Sequence, residues 1–164
     1  SANQLNALLL GGNPQAKDYL HLAEIYLEEG EKEGVRGDGA FCQSLIETGY
    51  FRFGGDVRPC QNNYAGIGAT GGVPGNSFPD ERTGIRAQIQ HLKAYASTAP
   101  LEQECVDPRY KYVSKGCAPT FEQLSGKWAV PGYSGHSSLE AARRARDSYG
   151  DHIVHLLDRA ISKR

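Results

Sequence analysis

The stretch "SLIETGYFRFGG" (residues 44–55) holds Glu47 in an apolar setting, followed by Gly49 and the aromatics Tyr50, Phe51 and Phe53. A carboxyl beside apolar and aromatic groups loses solvation, which favours its neutral form and raises its pKa. A carboxylic acid still protonated near neutral pH can hand a proton to the leaving oxygen of a glycosidic bond. The last turn of a helix pushes the same way, because the negative end of the helix dipole disfavours an anion. On composition alone, a solvated glutamate near a helix end is the commoner case.

Glycoside cleavage needs a second group, a base or a stabiliser of oxocarbenium-like charge. Asp56, Asp80 and Glu81 are candidates. Glu81 ends a glycine-rich stretch and precedes a helix, so it could face Glu47 across a cleft. Asp80 or Glu81 could instead cap the helix starting near Thr83, and the pair can divide the two roles. Tyr50, Tyr64, Tyr110, Tyr112, Trp128 and Tyr133 could stack on sugars, although scattered aromatics more often pack in cores. "GIGATGG" (residues 66–72) lacks the Lys-Ser/Thr of a phosphate loop. His152 and His155 share a helix with an apolar stripe and suggest no third metal ligand. There is no G-x-S-x-G elbow, and "RRAR" (residues 143–146) reads as a solvated helix face.

Several helices would position these residues. A short helix over residues 1–14 is expected to end at Gly11, Gly12 and Pro14. Asp18 is placed to cap a helix with Tyr19, Leu22, Ile25 and Tyr26 on its apolar face, ending near Gly30. A second begins at Asp38, carries Phe41, Leu45 and Thr48 with Ile46 beside them, and stops at Gly49. Residues 50–83 lose the helical period and form a Gly/Pro/Asn-rich lobe, ordered by Tyr64, Ile67, Val73 and Phe78. Ile85, Ile89, Leu92 and Ala96 then form one stripe, with Arg86, Gln90 and Lys93 opposite. "SSLE" (residues 137–140) reads as a capping box opening a helix that breaks near Gly150. A last helix carries Ile153, Leu156, Leu157, Ala160 and Ile161.

At 164 residues the chain suits a single domain, 1–164, with a moderate core. Its net charge of -1 gives no global pull toward nucleic acid or an anionic membrane. No apolar run reaches the roughly 18 residues a membrane span needs. No segment has the basic n-region and long apolar h-region of a signal peptide, and the start at Ser1 rather than methionine points to a processed or cut end. Cys42 and Cys60 enclose 17 residues, and Cys105 and Cys117 enclose 11. Without a C-x-x-C, a zinc ribbon is disfavoured. Two disulfides, each contributing ~3 kcal/mol, would imply an extracytoplasmic address; four reduced thiols are the alternative.

Taken in order and spacing, "AFCQSLIETGYFRFGG", "NNYAGIGATGG", "GIRAQIQHLKAYAS" and "DPRYKYVSKGCAPTFEQLSGKWAVPGY…YGDHI" resemble the glucosaminidase domain of glycoside hydrolase family 73. The resemblance covers about residues 17–160. It implies a mainly helical α+β, lysozyme-like fold with a small β-lobe at about 50–83 and a groove between lobes. It implies a secreted or cell-wall enzyme that cleaves the β-1,4 bond after N-acetylglucosamine in peptidoglycan glycan strands, as a monomer without cofactor or metal. Glu47 maps onto the family's general acid and Glu81 is the best counterpart of its second acid. Asn63, Tyr64, Gly66 and Ile67 map onto the N-x-F-G-I block, with Tyr64 replacing the usual Phe, and line or shape the groove. Tyr50 and Tyr133 are further groove candidates. Paired cysteines are not a family hallmark. A muramidase, a lytic transglycosylase or a non-catalytic glycan-binding module are the rival readings.

Overall fold

The computed structural model describes residues 1–70, 72–129 and 135–162. It is mainly helical, with α1 (Ala2–Gly12), α2 (Leu22–Glu33), α3 (Gly37–Thr48), α4 (Glu81–Ala96), α5 (Leu139–Arg144) and α6 (Tyr149–Ser162). Helix α3 packs between α2 and α6, while α2 also packs on α4, and α1 closes the far side against α6. The core these helices share includes Leu9, Tyr26, Phe41, Leu45, Ile85, Ile89 and Ile153, all fully buried. Helices α2 and α3 approach at backbone distance: a Cβ on Gly37 would sit 2.1 Å from the Tyr26 carbonyl oxygen. Any side chain there would force the acid-bearing helix away from its partner.

Several boundaries differ from the sequence reading. Asp18 lies in a 3₁₀ turn (Ala16–Tyr19) and caps nothing; α2 starts at Leu22 and runs through Gly30 to a left-handed C-cap at Gly34. Gly30 stays helical because the bare Cα lets Gly37 come close. Ser138, not Ser137, caps α5; the expected break falls at residues 145–148, and Gly150 itself lies in the first turn of α6. A Cβ there would meet the Phe121 carbonyl oxygen at 2.1 Å, so this glycine serves packing.

The segment 50–80 is a loop-built lobe. Among the described residues there is no strand, only isolated bridges at Thr70–Val73 and Ser125–Ala129. The physical cause is composition: Gly, Pro and Asn interrupt any ladder. Side-chain amides hold the lobe instead. Asn63 Nδ2 donates to the Ile67 and Asn76 carbonyls at 3.0 and 2.9 Å, while its Oδ1 accepts from Ile67 N at 3.1 Å. Gln61 Nε2 donates to Pro74 O at 2.9 Å. Ala65, Ile67, Phe78 and Ala87 form a small core of their own beneath it.

All four cysteines are free thiols, so neither expected disulfide forms. Cys42 points into the core from α3, where burial and the neighbouring Asp38 charge push its thiol up to about 12. Cys60 lies exposed on the lobe. The extracytoplasmic argument from cysteine pairing therefore loses its support.

Candidate active site

Glu47 occupies the last turn of α3, half-buried, one helical turn beyond the fully buried Gln43. Both side chains reach the same phenol on α6. Tyr149 donates its hydroxyl proton to Glu47 Oε1 at 2.5 Å and accepts from Gln43 Nε2 at 3.1 Å. The polar chain continues inward: Gln88 Nε2 donates to Gln43 Oε1 at 2.9 Å, and Tyr26 donates to Gln88 Oε1 at 2.5 Å. Four buried polar side chains are thus satisfied in series, ending at the carboxyl. Burial pushes the Glu47 pKa up, and the Tyr149 hydrogen bond offsets part of that rise. Burial and the Glu47 charge hold Tyr149 well above its usual range, so it remains a donor.

Glu47 faces the lobe. A Cβ on Gly66 would lie 3.3 Å from Glu47 Oε2, so the carboxyl rests directly against this turn. Gly66 has φ +66°, a conformation in which any other residue would be strained as well as crowded. The backbone just after Glu47 is itself strained. Tyr50, Phe51 and Phe53 all have φ between +55° and +61°. Left-handed geometry costs such residues about 1 kcal/mol or more each. The surrounding packing sustains it: Phe51 stacks on Tyr19 at 5.0 Å and meets Phe41 and Tyr64 edge-on.

The second carboxylates separate as the sequence allowed. Asp80 caps α4, its Oδ1 accepting from Thr83 N at 2.7 Å. Glu81, half-exposed, bonds His21 Nε2 with both oxygens at 2.9 Å and lies 3.5 Å from the Tyr64 hydroxyl. Glu47 thus rests against Gly66, and Glu81 against the side-chain hydroxyl of Tyr64, two positions earlier. Asp56 is exposed.

Asn63 and Tyr64 are buried, at 1% and 3% exposure, and their polar atoms bond within the lobe and to Glu81. Tyr50 packs over Gly12 of α1, and its carbonyl accepts from Asn13 Nδ2 at 2.9 Å. Gly66 and Ile67 do line an open cleft of about 230 Å³, together with Gly68, Ala69, Thr70, His91, Tyr95, Arg109, Tyr112, Val113 and Trp128. Tyr133 lies outside the described residues. Among the described residues no cluster of His, Cys, Asp or Glu is arranged to hold a metal, and no helix is long and apolar enough to cross a membrane. His152 is engaged with Asp147 at 2.7 Å.

Sequence reasoning missed Tyr149, which lies 102 positions from Glu47. Its only local signal is a polar hydroxyl on the buried side of an apolar helix. Replacing Tyr149 with Phe removes the donor that lowers the Glu47 pKa and leaves Gln43 short of an acceptor. Stability should fall by about 1–3 kcal/mol. Any activity that needs protonated Glu47 should keep its alkaline limb to higher pH. Urea titration and a pH–rate profile read the two effects separately.

An uncharacterized protein of Borreliella burgdorferi is 47% identical over 120 residues, spanning 71% of this chain and 59% of that protein. The chain thus spans about three fifths of the length of the curated relative it matches. No protein-family model matches the chain, and no solved structure does.

Proposed function

We propose that the chain is a glycoside hydrolase of the lysozyme-like type, an endo-β-N-acetylglucosaminidase that cleaves peptidoglycan glycan strands at or outside the cell surface. The observation that carries this reading is Glu47: a half-buried carboxyl with a raised pKa, oriented by Tyr149 and set against the Gly66 turn beside a cleft. In this reading the loop-built lobe stands where the related fold has its small β-lobe. Glu47 gives its proton to the glycosidic oxygen as the bond to the anomeric carbon breaks. Positive charge then develops on the sugar and is met by water, by a carboxylate or by the substrate's own 2-acetamido oxygen.

Glu81 fits a supporting role, since both of its oxygens are engaged by His21. Glu81→Gln should lower kcat by less than about tenfold, below the 10²–10⁴ typical of a proton-transfer catalyst. A loss as large as that of Glu47→Gln would make Glu81 the base and exclude substrate assistance.

Mass spectrometry of digested peptidoglycan tests the assignment. Reducing-end N-acetylglucosamine is the expected product. Reducing-end N-acetylmuramic acid would make the protein a muramidase, and 1,6-anhydro ends a lytic transglycosylase. Binding without any cleavage would reduce it to a glycan-binding module.

A further inference from the structure

The cleft beside Gly66 has a second wall that the proposed chemistry does not use. Asp107 is buried, with its carboxylate fully satisfied: Oδ1 accepts from Arg109 N at 2.9 Å, and Oδ2 lies 2.7 Å from His91 Nδ1. A buried carboxylate accepts hydrogen bonds, so His91 carries a proton on Nδ1 toward it. In the neutral ring that leaves Nε2 as an acceptor. The ring itself is clamped edge-on against Trp128 at 4.6 Å and Tyr95 at 5.4 Å. Trp128 in turn donates toward Ala65 O at 3.4 Å, tying this wall to the lobe.

The segment that brings Arg109 here is equally fixed. Gln90, buried on α4, accepts from Val106 N at 2.8 Å and donates to Glu104 O at 2.8 Å. The Arg109 guanidinium lies over the Tyr112 ring at 4.5 Å, and no carboxylate pairs with it among the described residues. Tyr112 is 63% exposed, although it is a large aromatic. The described lining contains a guanidinium, an imidazole and three large aromatics, and no carboxylate. At about 230 Å³ the cleft is smaller than the roughly 300–1,000 Å³ of whole-ligand pockets, so it suits one ring of a longer chain.

We propose that this cleft is a subsite for a sugar residue bearing a carboxylate, with Arg109 as the charge partner and His91 Nε2 accepting from a sugar O–H or N–H. The inference rests on the peptidoglycan reading, in which the carboxylate belongs either to the lactyl ether of the muramic residue or to its peptide stem. Arg109 can take both carboxylate oxygens in its fork, and stacking on Tyr112 limits the rotamer freedom lost on binding.

The test is equilibrium binding in a Glu47→Gln background, which binds without turnover. The ligands are chitobiose, the glucosaminyl-muramic acid disaccharide with its free lactyl carboxylate, and the same disaccharide carrying a peptide stem. An acidic ligand should bind roughly tenfold more tightly than chitobiose, the scale of one charge-assisted contact. Adding Arg109→Gln should bring that ratio to about one, and Arg109→Lys should retain part of it. Preference for the free disaccharide assigns the lactyl group; preference only for the stem-bearing form assigns the peptide. Equal binding of all three ligands, or a ratio unchanged by Arg109→Gln, overturns the subsite even if the wild type lyses cell walls. A preference erased by Arg109→Gln in a protein that cleaves nothing would uphold the subsite and sink the hydrolase reading.

Discussion

Glu47→Gln is expected to abolish clearing of purified cell walls, with kcat down by roughly 10²–10⁴, while the protein stays folded. An amide cannot supply the proton, yet it matches the carboxyl in size and can still accept from Tyr149 through its oxygen. Stability should not suffer. Burial raises the Glu47 pKa above its ordinary 4.5, so the ionised form costs folding free energy at neutral pH. The contribution of this group is most favourable below the unfolded pKa and is lost as pH rises through the folded one. Removing the charge therefore leaves thermal stability equal or higher at neutral pH. In the wild type, activity should decline on the alkaline side as Glu47 ionises, and that limb should lie above the ordinary carboxylate range. Wild-type clearing by the Gln variant would remove Glu47 from the chemistry.

Most of the helices could be read from the chain because each carries a one-sided apolar stripe. Phe41 and Leu45 mark the buried side of α3, and Ile85, Ile89 and Leu92 that of α4. The division of labour between Asp80 and Glu81 was also accessible, since capping has a fixed offset. Three features escaped for separate reasons. Gln90 and Lys93 read as the solvent face of α4 but are buried: the segment after α4 folds back onto Gln90, and Lys93 pairs with Glu33 on α2. Asn63 reads as a ligand-facing group, yet its polar atoms are consumed inside a loop that has no ladder to satisfy its backbone. Even-numbered cysteines suggested bridges, but the helix phase of Cys42 turns its thiol into the core. The polar chain from Tyr26 to Glu47 joins α2, α3, α4 and α6, with Gln88 and Tyr149 far from the others in sequence, and no local pattern encodes such a meeting.

Gln90 and Lys93 belong to a second buried polar system, and Glu29 on α2 is where it can be broken. The Glu29 side chain has 0% exposure. Arg86 donates to both its oxygens at 3.0 Å, Arg82 to Oε1 at 3.1 Å and Gln103 to Oε2 at 3.0 Å. One turn on, Glu33 receives Lys93 Nζ at 3.0 Å and Glu102 N at 2.8 Å. Together these carboxylates fasten the segment after α4 to α2, and that segment leads to Asp107 and Arg109. Burial alone would raise the Glu29 pKa, but the bonds from Arg86, Gln103 and Arg82 outweigh it and hold the carboxyl at about 2. Glu29→Ala leaves two guanidinium groups and an amide facing an empty site. Breaking a buried pair from one side costs about 3–5 kcal/mol, which lowers Tm by roughly 10 °C in a chain of this size. The pH dependence identifies the cause. A depressed carboxylate stabilises the fold above its unfolded pKa of about 4.5, and that stability is lost as pH falls toward 2. The gap between wild type and Glu29→Ala should therefore be full at neutral pH and shrink steadily below about 4.5. Urea unfolding across that range measures it. A gap that stays constant down to acid pH would mean that lost packing, not the carboxylate charge, accounts for the effect.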